Sequence, residues 1–212
     1  MKTIQPPDLS RLRSLASLLG ASGQEMRHHA ARFDAIKSRK SGTSPPRVVV
    51  AHQLFQTPES LAARLVALLG DLSGASVLEP SAGLGRLVDQ LKAAGAADIA
   101  AVDISPDCVV HLRSRSWLDV KMADFLTLSP SDLGYFDAVA MNPPFTMRSD
   151  IRHVRHALQF LKTGGTLAGL CMNGERRENE LRPLCSTWEE IPAGAFRQSG
   201  TEVETILFSI RK

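Results

Sequence analysis

The period of the apolar positions changes along the chain, and each change marks an element. Near the start, Leu9, Leu12, Leu15, Leu18 and Leu19 recur at helical spacing. Asp8 or Ser10 can cap that helix, and Gly20 and Gly23 punctuate its end. The pattern predicts a second helix over about Gln24 to Lys40, with Met26, Phe33 and Ile36 as its apolar stripe. Lys40 to Pro46, KSGTSPP, reads as a linker.

From Arg47 onward, strand-like and helix-like runs alternate. A helix is predicted after Thr57-Pro58 through Leu61–Leu69, then a strand at Ser76–Glu79 and a helix at Arg86–Gly95. A strand at Asp98–Asp103, a helix at Pro106–Arg115 and a short strand near Asp119–Met122 follow. Next come a strand at Phe136–Asn142, a helix at Ile151–Lys162 and a strand at Thr166–Met172. The tail Thr201–Ile210 alternates and is rich in β-branched residues, which suits a closing antiparallel edge strand. This order predicts an α/β fold, doubly wound, with a mostly parallel sheet covered on both faces. The expected division is a helical arm, residues 1–46, ahead of one α/β domain, residues 47–212.

Composition narrows the class. The 212 residues can bury a full core unaided. The 43% hydrophobic and 22% charged fractions exclude a disordered, collagen-like or coiled-coil chain. Cys108, Cys171 and Cys185 are odd in number and lack C-x-x-C spacing, so they read as small buried thiols of a reducing compartment. No apolar stretch approaches the ~20 residues of a membrane span. Arg11 and Arg13 interrupt the first apolar patch, unlike a signal peptide. A soluble cytoplasmic protein with no membrane partner and no metal is the expectation.

Charge changes the picture once it is divided. The net charge is only +3. Residues 1–50 hold nine Lys or Arg against three acids, a balance of +6, with His28 and His29 beside them. Residues 51–212 hold sixteen against nineteen, a balance of −3. A basic arm of this kind suits contacts to phosphates, which position a nucleic acid without reading its sequence.

The candidate chemistry lies at the ends of the strands. Glu79-Pro80-Ser81-Ala82-Gly83-Leu84-Gly85 joins the first strand to a helix, and glycines there let the backbone approach a ligand closely. The turn is neither G-x-G-x-x-G nor a P-loop. A carboxylate opening it suits an ammonium group, not a phosphate. Asp103 ends the second strand, where an acid accepts from ribose hydroxyls or simply caps a helix. Asp124-Phe125 follows the third strand, an acceptor beside an aromatic that can pack on a purine. Asn142-Pro143-Pro144-Phe145 ends the fourth. Two prolines fix a rigid turn there, aiming the Asn oxygen and the Pro143 carbonyl at one point. Two acceptors converging on one planar NH2 group can draw it towards tetrahedral geometry and free its lone pair. Phe145 offers a stacking face.

This ordered set, with Gln56-Thr57-Pro58 ahead of it, resembles the class I S-adenosylmethionine-dependent amino-methyltransferases. It looks most like the gamma-type DNA adenine-N6 methyltransferases, over about Leu54 to Lys212. The resemblance implies a Rossmann-like, seven-stranded sheet with S-adenosylmethionine as cofactor. It implies that Gln56, Thr57, Pro58, Glu79, Pro80, Ser81, Ala82, Gly83 and Gly85 hold the methionine end. Asp103, with Ile104 beside it, would hold the ribose, and Asp124 and Phe125 the adenine. Asn142 and Pro143 would bond the target amine, Pro144 would stiffen the turn, and Phe145 would stack on the target. Asn142 would also border the cofactor. The sulfonium methyl is already activated, so no covalent nucleophile, metal or general base of known type is required.

One departure bears on the substrate. The gamma-type enzymes usually carry a sizeable target-recognition domain after these motifs. Here the only candidate reader is Asn173–Pro183, whose Arg176, Arg177 and Arg182 are offset by Glu175, Glu178 and Glu180, so a solvated loop is expected. The leading expectation is methylation of adenine N6 in DNA with relaxed specificity. The same motifs also serve adenine-N6 methylation of ribosomal or transfer RNA and glutamine-N5 methylation of a protein. A non-catalytic nucleic-acid-binding protein on this fold is the alternative of another class.

Overall fold

The computed structural model describes residues 56–145, 149–194 and 203–212. The two helices expected before the linker, and the basic arm they form, lie outside the described residues. The elements in order are α1 (Glu59–Ala67), β1 (Ser76–Glu79), α2 (Arg86–Ala93), β2 (Asp98–Asp103), α3 (Pro106–Leu112) and β3 (Asp119–Met122). Then come α4 (Pro130–Leu133), β4 (Phe136–Met141), α5 (Ser149–Ala157), β5 (Leu161–Met172), α6 (Glu175–Glu180), β6 (Thr187–Ile191) and β7 (Thr205–Arg211).

The strands form one seven-stranded sheet in the order β3-β2-β1-β4-β5-β7-β6. β1 to β5 run parallel, and β7 lies antiparallel to both β5 and β6. This is the doubly wound, mostly parallel sheet that the alternation of elements predicts, but the antiparallel tail strand β7 is not the edge: it lies between β5 and β6, and β6 forms the edge. The strand order reverses between β1 and β4, so a crevice opens beyond their carboxyl ends.

Neighbouring residues of a strand face opposite sides of the sheet, and the core divides accordingly. Val77 packs with Leu61 and Leu65 of α1 and Leu87 and Leu91 of α2 on one face. Leu78 packs with Ile151 and Val154 of α5, Phe160, Leu167 and Phe208 on the other. At the amino ends of the strands Asp137 accepts from Ser76 N and Oγ, at 2.9 and 2.7 Å, and from Lys162 Nζ at 2.8 Å. These bonds hold its carboxyl well below the usual range, Lys162 first and Ser76 second. They tie β1, β4 and β5 together away from the crevice.

Several boundaries differ from the sequence reading, and three of the differences have a physical reason. The helix expected to reach Lys162 ends at Ala157, and a 3-10 turn covers Leu158–Phe160. Leu161 instead pairs with Phe136 and begins a twelve-residue β5, because strand pairing captures a residue whose helical spacing also suited α5. The helix expected to reach Arg115 ends at Leu112, and the Arg115 side chain turns to a bidentate pair with Asp89 at 2.7 and 2.8 Å. The solvated loop expected over Asn173–Pro183 holds α6 and a 3-10 turn at Arg182–Leu184. Its charges explain this: Arg176 pairs with Glu180 and Arg182 with Glu178, both at helical spacing.

Candidate active site

The carboxyl ends of β1, β2 and β4 and the turn after β3 enclose a cavity of 540 Å³. That is the size of a small-molecule site. Of the residues singled out from the sequence, Gln56, Thr57, Glu79, Pro80, Ser81, Ala82, Gly83, Asp103, Ile104, Asp124 and Phe125 line it. Asn142, Pro143, Pro144 and Phe145 line it as well. Pro58 and Gly85 do not. Pro58 precedes α1 and its carbonyl accepts from Ala62 N at 2.8 Å. Gly85 is the left-handed cap of α2, at φ +86°.

Glu79 is the most perturbed group on the wall. It is 2% exposed, and its Oε2 has no hydrogen-bond partner among the described residues. Burial raises its carboxyl well above the usual range, and the nearby charge of Asp103 raises it further. The Val88 backbone N–H opposes both. A buried, half-satisfied carboxyl in a cavity can take a cation, and an ammonium group would meet both of its needs.

Asp103 is held from two sides. Gly83 N donates to its Oδ2 at 2.7 Å and Ser105 N to its Oδ1 at 2.8 Å. The carboxylate therefore joins the turn after β1 to the turn after β2. An ionised carboxylate has about four lone-pair sites, so each oxygen can still accept from a ligand hydroxyl. Arg115 braces the same turn, donating from Nη2 to the Leu84 carbonyl at 3.3 Å.

Asp124 caps a 3-10 turn at Phe125–Thr127, accepting from Leu126 N at 3.0 Å. Phe125 is committed more to the core than its neighbour. It is 3% exposed, and its ring packs on Phe160 and edge-on against His156, with centroids 5.1 and 4.9 Å apart. It forms cavity wall, while the exposed ring-sized apolar surface beside Asp103 comes from Ile104, 63% exposed.

At the end of β4, Asn142 Nδ2 donates to Thr57 Oγ1 at 3.1 Å. Phe145 is buried at the far side of the proline turn. Four residues on, Ser149 opens α5, and both Ser149 and His153 line the cavity. The sequence reading did not single out these two residues, nor Arg86 and Ser105, which also line it. The i, i+4 spacing of Ser149 and His153 just after the proline turn was the available signal. Cys108 lines the wall too, and burial raises its thiol. Burial pushes Cys185 up to about 11, and Cys171 is raised still further.

No protein-family model matches the chain. Human EEF1A lysine methyltransferase 2 is 28% identical over 153 residues. That match spans 63% of this chain and 65% of the relative, just under two thirds of its length. The methyltransferase subunit of a type I restriction-modification system from Streptococcus thermophilus superposes with a TM-score of 0.61. It is 20% identical, over 74% of this chain and 45% of that one. An RNA methyltransferase from Salinibacter ruber, solved with S-adenosyl-L-homocysteine, gives a TM-score of 0.53. It is 15% identical, over 74% of this chain and 92% of that one. The fold is that of the class I S-adenosylmethionine-dependent methyltransferases. Three such neighbours are named for a protein, a DNA-modification and an RNA activity, so the shared fold leaves the acceptor to the residues of the site.

Proposed function

We propose that the protein is an S-adenosylmethionine-dependent N-methyltransferase whose acceptor is a planar exocyclic amine, adenine N6 of DNA foremost. The observation that carries this reading is the position of Asn142-Pro143-Pro144-Phe145. It lies at the end of β4 and lines the same cavity as Glu79 and Asp103.

The residues fit the cofactor. Glu79 offers a buried acceptor for the α-ammonium, and Asp103 offers lone pairs to the ribose. Asp124 offers an acceptor to the adenine amine, and Ile104 and Phe125 offer apolar surface to its ring. When bound, the cofactor supplies a methyl group already activated by a sulfonium.

The chain's own part is orientation and electrostatics. The bond from Asn142 Nδ2 to Thr57 leaves Oδ1 as the accepting atom of that side chain. With the Pro143 carbonyl it can accept hydrogen bonds from a planar amine and raise the lone pair towards the methyl. Phe145 sets the plane of the target. A duplex substrate would have to release its adenine from the stack into the cavity. The basic segment 1–46 supplies phosphate contacts in this reading.

A second reading rests on the human relative, whose name gives a protein lysine as its acceptor. One experiment separates the two. The protein is incubated with methyl-labelled cofactor and separate pools of DNA, RNA and protein, and the modified group is mapped. N6-methyladenine in DNA is the expected product. Label confined to protein, or to RNA, overturns the DNA assignment. Asn142→Ala should abolish the label, and deletion of residues 1–46 should flatten the salt dependence of DNA binding.

A further inference from the structure

α5 carries two histidines three residues apart, and they are built differently. His156 is half-buried and bonded outward. Its Nε2 bonds the Leu128 carbonyl at 2.9 Å, and its ring sits edge-on against Phe125 and Phe160. His153 is 7% exposed but lines the cavity. Its Nδ1 lies 2.7 Å from the Ser149 carbonyl and 3.0 Å from Ser149 Oγ. A carbonyl can only accept, so the 2.7 Å contact puts the proton on Nδ1. Nε2 is then the unprotonated nitrogen, and the hydrogen bonds of the ring among the described residues are at Nδ1 alone. Phe125 packs against both rings, its centroid 6.1 Å from that of His153, so what separates the two is that the outer nitrogen of His156 is bonded and that of His153 is not, among the described residues.

We propose that His153 is a catalytic residue, whose Nε2 takes the proton that the acceptor amine loses on methylation. The inference rests on the methyl-transfer reading above. In that step the amine nitrogen bonds the methyl carbon, and the electron pair of the breaking carbon–sulfur bond stays with sulfur. The N–H proton passes to Nε2. A neutral methylated amine, a neutral thioether and an imidazolium result, so charge and atoms balance. Ser149 holds the ring for this task as a positioning residue, from one turn earlier on α5.

The surroundings suit the role. Burial holds the imidazole below its ordinary value, so the ring is neutral and able to accept at neutral pH. After burial, the groups acting on it are the Ser149 carbonyl, Asp124 from the turn after β3, and Arg152 and His156 from its own helix. Asp124 and the Ser149 carbonyl favour the imidazolium once it forms; Arg152 and His156 favour its discharge.

Two measurements test this on the full chain. The first is the ¹⁵N-detected imidazole spectrum of histidine-labelled protein, with and without S-adenosylhomocysteine. The expected result is a His153 with Nδ1 protonated and Nε2 bare, titrating below an ordinary histidine. A proton on Nε2 overturns the proposal without reference to any activity. The second is the single-turnover methylation rate against pH at saturating cofactor, for the wild type, His153→Asn and His153→Gln. Asn keeps a donor for the Ser149 carbonyl, and Gln keeps a polar group near the place of Nε2. The wild-type rate should climb with pH through the His153 inflection and then level. Both variants should lose that inflection and fall by about 100-fold, while S-adenosylhomocysteine affinity is kept. A variant with the wild-type rate and profile overturns the base role alone. A wild type that methylates no pool overturns the methyl-transfer reading itself, and the base role with it.

Discussion

Asn142 and Thr57 are joined by a side-chain hydrogen bond of 3.1 Å across 85 positions of sequence. Thr57 is 4% exposed, so the bond is shielded from solvent competition. It orients the Asn142 amide, and in the proposed function that decides whether an oxygen or an NH2 meets the acceptor. Thr57→Val keeps the shape and removes the acceptor. A bond of this kind is worth about 1 kcal/mol, so the single-turnover rate should fall about fivefold to tenfold. Cofactor affinity by calorimetry should hardly change. An unchanged rate would mean that the amide is held by something else.

If Glu79 takes the cofactor ammonium, as proposed above, cofactor binding is a proton-linked event. Its value in the free fold is raised, chiefly by burial. A carboxyl raised on folding stabilises the fold least at high pH. Its contribution is full below the ordinary carboxylate value and is lost as pH rises towards the raised one. Binding an ammonium reverses the preference and favours the ionised form. Cofactor affinity should therefore rise with pH through the Glu79 range, with release of a proton. Calorimetry in two buffers of different ionisation enthalpy reads that proton directly. Glu79→Gln should raise the melting temperature of the free protein at neutral pH more than at pH near 4, and should abolish the linked proton and most of the affinity. A variant less stable than the wild type at neutral pH would show that the carboxylate is already compensated.

Gly85 has a steric reason for its identity. Its φ of +86° is left-handed, and a Cβ there would sit 3.0 Å from both Leu112 Cδ2 and Arg115 Nη2. Gly85→Ala should cost about 1–3 kcal/mol by denaturant titration. Because Arg115 also holds the Leu84 carbonyl, the variant should weaken cofactor binding too. Gly70 is also left-handed, but a Cβ there meets nothing within 4 Å. Gly70→Ala should keep cofactor affinity intact, which separates backbone strain from disturbance of the site.

What was legible in the sequence is what local chemistry determines. Period-two runs bounded by glycine and acid residues mark β1, β2 and β4, and the residues at their carboxyl ends share one crevice by the logic of the fold. Thr187–Ile191 gave no comparable signal. TWEEI holds three polar or charged positions in five, and it becomes a strand because β7 offers it an edge, with Trp188 beside Phe208. His153 was hidden for a different reason. His153 and His156 look alike in sequence, and only the fold shows that His153 lines the cavity with its Nδ1 turned back to Ser149, while His156 Nε2 is bonded to the Leu128 carbonyl. Arg177 was read with its neighbours as a surface charge offset locally, yet its partner is 27 residues away.

That partner is Asp150, which is fully buried at the start of α5. Arg177 meets it with two bonds, Nε to Oδ2 at 2.9 Å and Nη2 to Oδ1 at 3.2 Å, and Ile151 N donates to Oδ1 at 3.0 Å. The pair anchors α6 to the helix that carries Ser149 and His153. Removing one member strands a buried charge, which costs more than the pair itself contributes. Arg177→Met should therefore destabilise the protein by about 3–5 kcal/mol, read from the shift of the urea midpoint at constant slope. Arg176→Ala, which breaks only an exposed pair with Glu180, should cost less than about 1 kcal/mol. Asp150→Asn combined with Arg177→Met removes both charges and should recover much of the loss, because no carboxylate is left uncompensated. If Arg177→Met costs no more than Arg176→Ala, Asp150 is compensated without it. If the cost is large, any surviving activity should show a reduced transfer rate at unchanged cofactor affinity, since the displaced element bears Ser149 and His153 and not Glu79 or Asp103.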